Sequence, residues 1–383
     1  MKKAFTYSCP TQVHFGVGVS KTLSSLLPME AESILLVRGQ SGQASAPILE
    51  LLNKTRFSIM EVSCDGEPTV ESINAAMGVV KGRRPNAIIS CGGGAVIDVG
   101  KVICFALANN LHNYDDVTKV SPVQMNTQCE IIHIAIPTTA GTGAEVTANA
   151  VIGVPDKGAK ISLRGRGIFP TVALIDPDLM RNAPRSVILH AGMDAVTQIL
   201  ESYTSNAATP FSDALTSSVR FLGLPALKKI LDDGDTTAMN NLAWVSHLSG
   251  LALANSGLGA AHGLASVIGG RFKAPHGALC GRLLPLILEK NLTCAPIGSD
   301  IHLKLSSCIN HIESVFPITQ KNSPMSGLTT WLDTQGLPRL ADWSVTKDDL
   351  VSIADQGMLA SSSQKNAVPL NSADYLDICQ NAF

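Results

Sequence analysis

The segment ILHAGMDAVTQILESYTS, residues 188–205, contains a carboxylate that could bind a metal ion. Its spacing of apolar residues predicts a helix, in which Asp194 and Gln198 are one turn apart. Side chains at positions i and i+4 share a helix face, so a second strong ligand could lie beside Asp194. A glutamine carbonyl is a poorer donor to a first-row transition metal than an imidazole. The segment alone is compatible with a metal site that has one weak ligand, a site without its metal, or an ordinary helix.

Two histidines further along the chain are candidate ligands. His262 lies in GLGAAHGLAS, and His276 follows a proline in KAPHGAL, fourteen residues later. An isolated histidine on an apolar helix is more often a hydrogen-bonded core residue than a metal ligand. Spacing alone therefore does not bring these histidines to Asp194.

Two glycine-rich segments could approach a phosphate. SCGGGAVIDVGK, residues 90–101, has three glycines between a predicted strand and a predicted helix. Glycine lets backbone N–H groups come close to an anion, and a helix N-terminus adds positive potential. The spacing is not that of G-x-G-x-x-G, so a tight connection is an alternative. IPTTAGTGAEVT, residues 136–147, follows another predicted strand, and two such turns at one sheet edge favour nucleotide binding.

The elements that would position these residues fall into two regions. Continuous apolar runs separated by helical patterns predict a parallel sheet with helices on both faces. The predicted strands are 33–39, 57–62, 86–94, 131–137 and 171–177, and residues 150–163 read as a hairpin. After about residue 186 only helical patterns follow. We therefore predict an α/β domain over 1–182 and an all-helical domain over 183–383.

The composition excludes several classes of partner. The 383-residue chain has a net charge of −2, with 45% hydrophobic and 16% charged residues, so we expect neither nucleic acid nor membrane as a partner. Residues 248–270 are uncharged over a membrane-spanning length, but their Gly, Ser, Asn and His favour a buried pair of helices. Nine scattered cysteines and the lack of an apolar run behind the first lysines are typical of a cytosolic protein.

These segments together resemble the iron-containing (group III) alcohol dehydrogenase family. The likeness extends from PTQVHFGVG to the closing LDICQNAF, and it includes GMDAVTQILESY and AAHGLA…APHG. The family motifs GGGS-x-x-D-x-x-K and PTTAGTGSE occur here with Ala95 and Ala144 at the two serines. The resemblance implies a dehydroquinate synthase-like, dinucleotide-binding α/β domain followed by a helical metal-binding domain.

The resemblance also implies which residues bind the dinucleotide. The diphosphate would lie on Gly93, Gly94 and Ala95, and Lys160 would approach the nicotinamide ribose. The other residues assigned to the cofactor are Asp98, Thr138, Thr139 and Thr142.

The end of the strand ILLVRGQSG bears on the choice between NAD and NADP. Relatives that prefer NAD commonly have an aspartate at the position of Gly39, whereas this chain has Arg38, Gly39 and Gln40 there. With no carboxylate to repel a 2′-phosphate, and with Arg38 able to pair with one, the segment favours NADP. The alternative is that Arg38 is a solvated strand end.

The resemblance brings the metal candidates together as Asp194, Gln198, His262 and His276. Iron-dependent relatives have a histidine at the position of Gln198, and many have another at that of Ser266. We expect a three-ligand site of Asp194, His262 and His276, with Gln198 as an optional fourth ligand or an outer hydrogen-bond donor. A carboxylate and two imidazoles suit zinc at least as well as iron. Ser266, a water or a ribose hydroxyl could transfer the proton.

The predicted function is therefore a metal-dependent, NAD(P)-linked alcohol dehydrogenase or aldehyde reductase that acts on a small substrate. Two alternatives remain: a lyase-type, dehydroquinate synthase-like enzyme, and a nucleotide-binding protein that has lost its metal. The resemblance implies a homodimer or a higher homo-oligomer.

Overall fold

A computed structural model describes residues 4–121, 125, 130–155, 159–321 and 323–383. The chain forms two compact units. One unit comprises Cys9–Pro184, and the other comprises Arg185–Phe383 together with the described N-terminal residues 4–8.

The first unit is built on a parallel sheet of six strands in the order β1-β8-β5-β4-β2-β3. Its strands are β1 Gln12–Phe15, β2 Ser33–Gly39, β3 Ser58–Cys64, β4 Ala87–Gly92, β5 Ile132–Pro137 and β8 Val172–Ile175. The prediction of a parallel α/β sheet is confirmed. Strand β1 was not predicted, because its four residues are partly exposed and contain no continuous apolar run.

The sheet is buried on both faces because alternate side chains of its strands enter different cores. Leu35 and Val37 of β2 belong to one apolar cluster, whereas Ile34 and Leu36 belong to another. The helices of this unit are α1 Leu23–Leu26, α2 Ala46–Asn53, α3 Val70–Val79, α4 Gly94–Ala108 and α5 Tyr114–Thr118. Residues of α3 and α4 pack in the first cluster, and residues of α1 and α2 pack in the second.

The predicted hairpin is present as a separate two-stranded antiparallel sheet. It consists of β6, Asn149–Val154, and β7, Ala159–Arg164, with Ile152 opposite Ile161. The hairpin contacts the sheet region through α4, to which its first strand is hydrogen-bonded.

The described residues of the second unit form helices and connecting loops, and no strand is found among them. Its helices are α6 Arg185–Thr204, α7 Pro210–Val219, α8 Gly223–Asp233, α9 Met239–Ser256, α10 Ala260–Phe272, α11 His276–Cys294, α12 Asp300–Val315, α13 Ser326–Thr334, α14 Asp349–Leu359 and α15 Ser372–Ala382. Helix α6 is the centre of the bundle: fourteen of its residues are buried, and it packs against both α9 and α11. This arrangement confirms the predicted order of an α/β region followed by a helical one.

None of the described helices is by itself long and apolar enough to cross a membrane. The segments Thr236–Ser256 and Ala260–Phe272 satisfy the length and composition criteria only as a pair, and they are bent by 97° relative to each other.

Candidate functional site

Three helices of the second unit bring the predicted metal ligands together. Asp194 lies in the middle of α6, His262 is the third residue of α10, and His276 is the first residue of α11. Asp194 and His262 are buried, and His276 is partly exposed. The three predicted ligands, which are far apart in the sequence, thus share one site.

The first turn of α11 can approach α6 because the residue after His276 is a glycine. A Cβ atom at Gly277 would lie 2.2 Å from the carbonyl oxygen of His190 and 3.1 Å from the Cβ of Asp194. No side chain fits against a backbone carbonyl at that distance. Gly277 therefore lets His276 lie next to Asp194.

The distances between the ligand atoms suit one divalent cation. His262 Nε2 is 3.2 Å from Asp194 Oδ1, and His276 Nε2 is 3.9 Å from the same oxygen. Metal–nitrogen and metal–oxygen bonds of about 2.1 Å in a tetrahedron give nitrogen–oxygen separations of about 3.4 Å. The observed distances bracket this value. The donor set therefore fits a transition metal without a large rearrangement.

Glu201 holds His262 in the orientation that the site needs. It lies seven residues after Asp194 on α6, and its carboxylate accepts from His262 Nδ1 at 2.6 Å. The same carboxylate accepts from the backbone N–H groups of Gly259 and Ala261 at 3.0 and 2.7 Å. A carboxylate on the outer ring nitrogen fixes the tautomer, so Nε2 is free to face a metal.

A cysteine that the sequence analysis did not consider completes the cluster. Cys280 is buried one turn after His276 on α11, with its Sγ 3.7 Å from His276 Nε2. The ligand atoms of Asp194, His262, His276 and Cys280 all lie within 4.8 Å of one another.

The side chains of Gln198 and Ser266 have partners of their own. The oxygen of Gln198 lies 2.9 Å from the Ser249 hydroxyl on α9, and its amide is hydrogen-bonded to Asp194. Ser266 is exposed on α10, and its hydroxyl donates to the carbonyl of Gly263 at 2.8 Å. Gln198 is thus placed to orient the carboxylate of Asp194.

The cluster shifts the protonation of its members. Burial disfavours a charged Asp194, yet the hydrogen bond from His262 and the charge of His276 hold the pKa of this carboxyl below its usual value. Burial likewise opposes protonation of His262, but the Cys280 sulfur and Glu201 raise its pKa well above the ordinary value. The two histidines lower the pKa of the Cys280 thiol against the effect of burial. These groups stabilise each other in charged form, as expected where a cation could replace the histidine protons.

In the first unit, the two glycine-rich turns lie side by side. They follow the neighbouring strands β4 and β5, whose ends pair Gly92 with Pro137, and Thr138 N–H donates to the carbonyl of Gly92 at 3.0 Å. A Cβ at Gly94 would lie 2.6 Å from Thr142 Oγ1, and one at Gly93 would lie 3.4 Å from Thr139 Oγ1. Gly94 therefore makes the close approach of the turns possible.

The N-terminus of α4 can accept an anion at this edge. Gly93 is its N-cap and Ala95 lies in its first turn, and no side chain caps the helix. Without a capping side chain, the first N–H groups of the helix remain available to a ligand.

Asp98, which was assigned to the cofactor, has structural partners in α4 and the hairpin. One carboxylate oxygen accepts from the Val151 N–H at 2.9 Å, and the other lies 3.3 Å from Lys101 Nζ. Lys101 is buried and also donates to the Asn149 carbonyl and the Thr147 hydroxyl, at 2.7 and 3.0 Å. Asp98 and Lys101 therefore fasten the hairpin to α4.

The remaining predicted cofactor residues are paired with acidic side chains or lie at a strand end. Arg38 donates to Glu61 at 2.6 Å and to the carbonyls of Gly39 and Gln40 at 3.2 and 3.4 Å. Lys160 on β7 forms an ion pair with Glu67 at 2.5 Å. Any phosphate that pairs with Arg38 must therefore compete with Glu61.

Two residues of the site were missed by the sequence analysis, and each carries a periodic signal. Glu201 lies at i+7 from Asp194, two turns along the same helix face, and Cys280 lies at i+4 from His276. Buried acidic residues are rare unless they are paired, so the carboxylate of Glu201 within the apolar pattern of α6 was a signal that could have identified it as a site residue.

Comparisons with known proteins agree over nearly the whole chain. Residues 10–177 match the family described as iron-containing alcohol dehydrogenase. Residues 188–383 match the C-terminal model of the Fe-containing alcohol dehydrogenase family.

Individual relatives are similar over much of their length. The chain is 31% identical to the 1-propanol dehydrogenase PduQ of Salmonella typhimurium over 296 residues, 75% of this chain and 73% of that protein. It is 33% identical to the NAD-dependent methanol dehydrogenase of Bacillus methanolicus over 230 residues, 59% of this chain and 58% of that one. A solved iron-containing alcohol dehydrogenase from Thermococcus thioreducens has a TM-score of 0.84 at 22% identity, covering 98% of this chain and 99% of its own. This last likeness concerns the fold alone.

Proposed function

The chain belongs to the iron-containing alcohol dehydrogenase family, and from this membership we propose that it transfers a hydride between a nicotinamide dinucleotide and a small alcohol or the corresponding aldehyde. The observation that carries the proposal is the convergence of Asp194, His262 and His276 in one site, with Asp194 and His262 buried. The family match favours this oxidoreductase function over a lyase-type reaction and over a nucleotide-binding protein without metal.

The proposed metal ligands are Asp194, His262 and His276. A divalent ion, when bound, supplies a Lewis acid that stabilises negative charge on the substrate oxygen. Glu201 keeps His262 in the tautomer whose Nε2 faces the site, and Gln198 steadies the carboxylate of Asp194. The role proposed for Ser266 as a proton relay requires its hydroxyl to turn away from the carbonyl of Gly263.

The proposed dinucleotide site lies at the carboxyl ends of β4 and β5. The backbone of Gly93, Gly94 and Ala95 would bind the diphosphate at the uncapped N-terminus of α4. The other residues of the proposed site are Arg38, Gly39, Gln40, Asp98, Thr138, Thr139, Thr142 and Lys160. We assign Asp98 an indirect role, since its carboxylate is bonded to Val151 and Lys101.

We further propose a dinucleotide-binding domain over 1–182, a metal-binding domain over 183–383, and a homodimer as the minimal assembly. A cytosolic location is supported by the cysteines that the structure describes, each of which is a free thiol.

The test of this function is an assay of the metal-loaded protein with short primary alcohols and aldehydes, in which NADH and NADPH are each followed by absorbance. The near-isosteric change Asp194→Asn removes the charge that binds the metal. We expect it to lower kcat/KM by at least about 10³-fold, equivalent to about 4 kcal/mol.

The matched control is Asp300→Asn, an exposed carboxylate at the start of α12 in the same unit. We expect it to leave kcat/KM within about two-fold of wild type. Wild-type protein that oxidises no alcohol and reduces no aldehyde with either cofactor would contradict the proposal. So would an Asp194→Asn variant that retains full activity.

A further inference from the structure

We propose that Cys280 is a fourth protein ligand, so that Asp194, His262, His276 and Cys280 form a carboxylate, bis-imidazole and thiolate site that takes zinc in preference to iron. This inference rests on the proposed function, because it assigns the ligand set and the metal at the same site.

The position of the sulfur meets the geometric requirement of a zinc site. Zinc–sulfur bonds of about 2.3 Å and zinc–nitrogen bonds of about 2.1 Å in a tetrahedron place sulfur and nitrogen about 3.6 Å apart. The Sγ of Cys280 lies 3.7 Å from His276 Nε2. Because His276 and Cys280 are at i and i+4 on α11, the helix itself sets this distance.

The surroundings of Cys280 distinguish it from a cysteine that only fills space. Cys379 on α15 is equally buried and belongs to the same apolar cluster. Of the two, only Cys280 belongs to the group of ligand atoms that lie within 4.8 Å of one another. A buried thiol among two imidazoles and a carboxylate is in a polar environment that a core-filling role does not require.

Gln198 does not compete for the fourth position. Its oxygen lies 2.9 Å from the Ser249 hydroxyl, and its amide is hydrogen-bonded to the ligand Asp194. The side chain is thus occupied in orienting Asp194. Among the described His, Cys, Asp and Glu residues, Cys280 is accordingly the fourth donor in this group.

The donor set determines the preferred metal. Thiolate is a soft ligand that favours zinc, and sulfur, imidazole nitrogen and carboxylate oxygen are all donors that zinc accepts in tetrahedral sites. Zinc in catalytic sites sometimes expands to five ligands, and a substrate oxygen that enters beside four protein ligands would use this fifth position.

The test uses cobalt(II) as a spectroscopic substitute for zinc in the full-length protein. Wild type and Cys379→Ala are expected to bind one cobalt ion with a near-ultraviolet thiolate-to-cobalt absorption band. Cys280→Ser and Cys280→Ala are expected to lack the band. Competition with a chromophoric chelator should show zinc affinity at least about 100-fold weaker in both Cys280 variants, since even an outer-shell change costs about 10–100-fold.

A second measurement needs no variant. X-ray absorption of the wild-type zinc protein should show one sulfur neighbour at about 2.3 Å. When equal amounts of zinc and iron(II) are offered anaerobically, zinc should be retained. A zinc shell without sulfur, a cobalt band that survives in Cys280→Ser, or preferential retention of iron would each overturn the proposal.

These readouts are independent of turnover. A protein that oxidises alcohols but shows no sulfur ligand would refute the thiolate site and leave the dehydrogenase function standing. A sulfur-ligated zinc site in a protein that turns over no alcohol or aldehyde would refute the function and support the ligand assignment.

Discussion

Two buried polar clusters, one in each unit of the chain, differ in where their polar atoms find partners. In the α/β unit, Lys101 Nζ is bonded to Asp98, Thr147 and the carbonyl of Asn149, and Asp98 also accepts from Val151. Each of these bonds leads back into α4, into the hairpin, or to Thr147 two residues before the hairpin. In the helical unit, the ligand atoms of Asp194, His262, His276 and Cys280 face one another instead.

The difference distinguishes a cluster whose bonds are structural from the cluster that we propose to bind a metal. A buried charge is tolerated when it is paired and hydrogen-bonded, and Lys101 meets that condition with protein groups alone. The helical cluster brings together four potential ligands. Two of them are histidines, and a bound cation would displace the protons that they otherwise carry. Glu201 and Gln198 hold these ligands from outside, as expected of a site prepared for a metal.

The largest expected effect is in the structural cluster. Lys101→Met keeps much of the side-chain volume but leaves Asp98 as a buried carboxylate without its cationic partner. We expect the free energy of unfolding of the α/β unit to fall by about 3–5 kcal/mol, because breaking a buried ion pair leaves an uncompensated charge. Hydrogen exchange of amides in β4, β5 and β6 measures this loss.

The comparison predicts that Lys101→Met leaves zinc content at the helical site unchanged, since the described bonds of Lys101 lie within the α/β unit. Lys54→Met is the control, because Lys54 is exposed and its ammonium pairs with the exposed Glu50 one turn away. An exchange pattern for Lys101→Met that matches the Lys54→Met pattern would show that the Asp98–Lys101 pair stabilises nothing.

Much of the fold could be predicted from the sequence because its strands are buried on both faces. Apolar runs such as SILLVRG are continuous, so β2 was predicted with its observed bounds, Ser33–Gly39. β1 was missed because a short, partly exposed edge strand has no such run. The sequence also did not show that the residues up to Ser8 belong to the helical unit. That assignment depends on contacts with residues such as Asn255, 247 positions away.

The candidate site was predictable only in part. Asp194, His262 and His276 were assembled from the family resemblance, because no helical period joins residues on α6, α10 and α11. Cys280 was missed because a single buried cysteine usually reads as a small apolar residue. Asp98 was assigned to the cofactor through the family motif, and the motif does not reveal that its carboxylate is bonded to a hairpin fifty residues later.

An intermediate effect is expected from the residue that supports the functional cluster. Glu201→Gln keeps the shape of the side chain but replaces the charged acceptor that holds His262. We expect zinc affinity to fall by about 10–100-fold, the range for carboxylates that orient a metal-bound histidine. Competition with a chromophoric chelator measures this change.

Glu313→Gln on α12 is the control for Glu201→Gln, because Glu313 is partly exposed and outside the cluster. Its zinc affinity should equal that of wild type. Equal zinc affinity in Glu201→Gln and Glu313→Gln would remove Glu201 from the site and weaken the contrast between the two clusters.

The smallest expected effect concerns His133, a buried histidine near the structural cluster of the α/β unit. His133 on β5 is hydrogen-bonded to the Ser90 hydroxyl at 2.8 Å, and burial, aided by the charge of Lys101, lowers its pKa to about 3. His262 has the opposite shift, because carboxylates and a thiol surround it. His133 is therefore neutral in the folded protein, whereas in the unfolded chain it binds a proton below about pH 6.5.

A lowered pKa in the folded state gives stability that is complete above about pH 6.5 and is lost as the pH falls towards 3. Between about pH 7 and pH 5.5 we expect wild type to lose about 1 kcal/mol more than His133→Gln, in which a neutral amide faces Ser90. Hydrogen exchange of β4 and β5 at both pH values measures the two slopes. Equal slopes would mean that the pKa of His133 is the same in the folded and unfolded chain. Burial and the charge of Lys101 would then not disfavour the protonated imidazole, and His133 would not belong to the structural cluster.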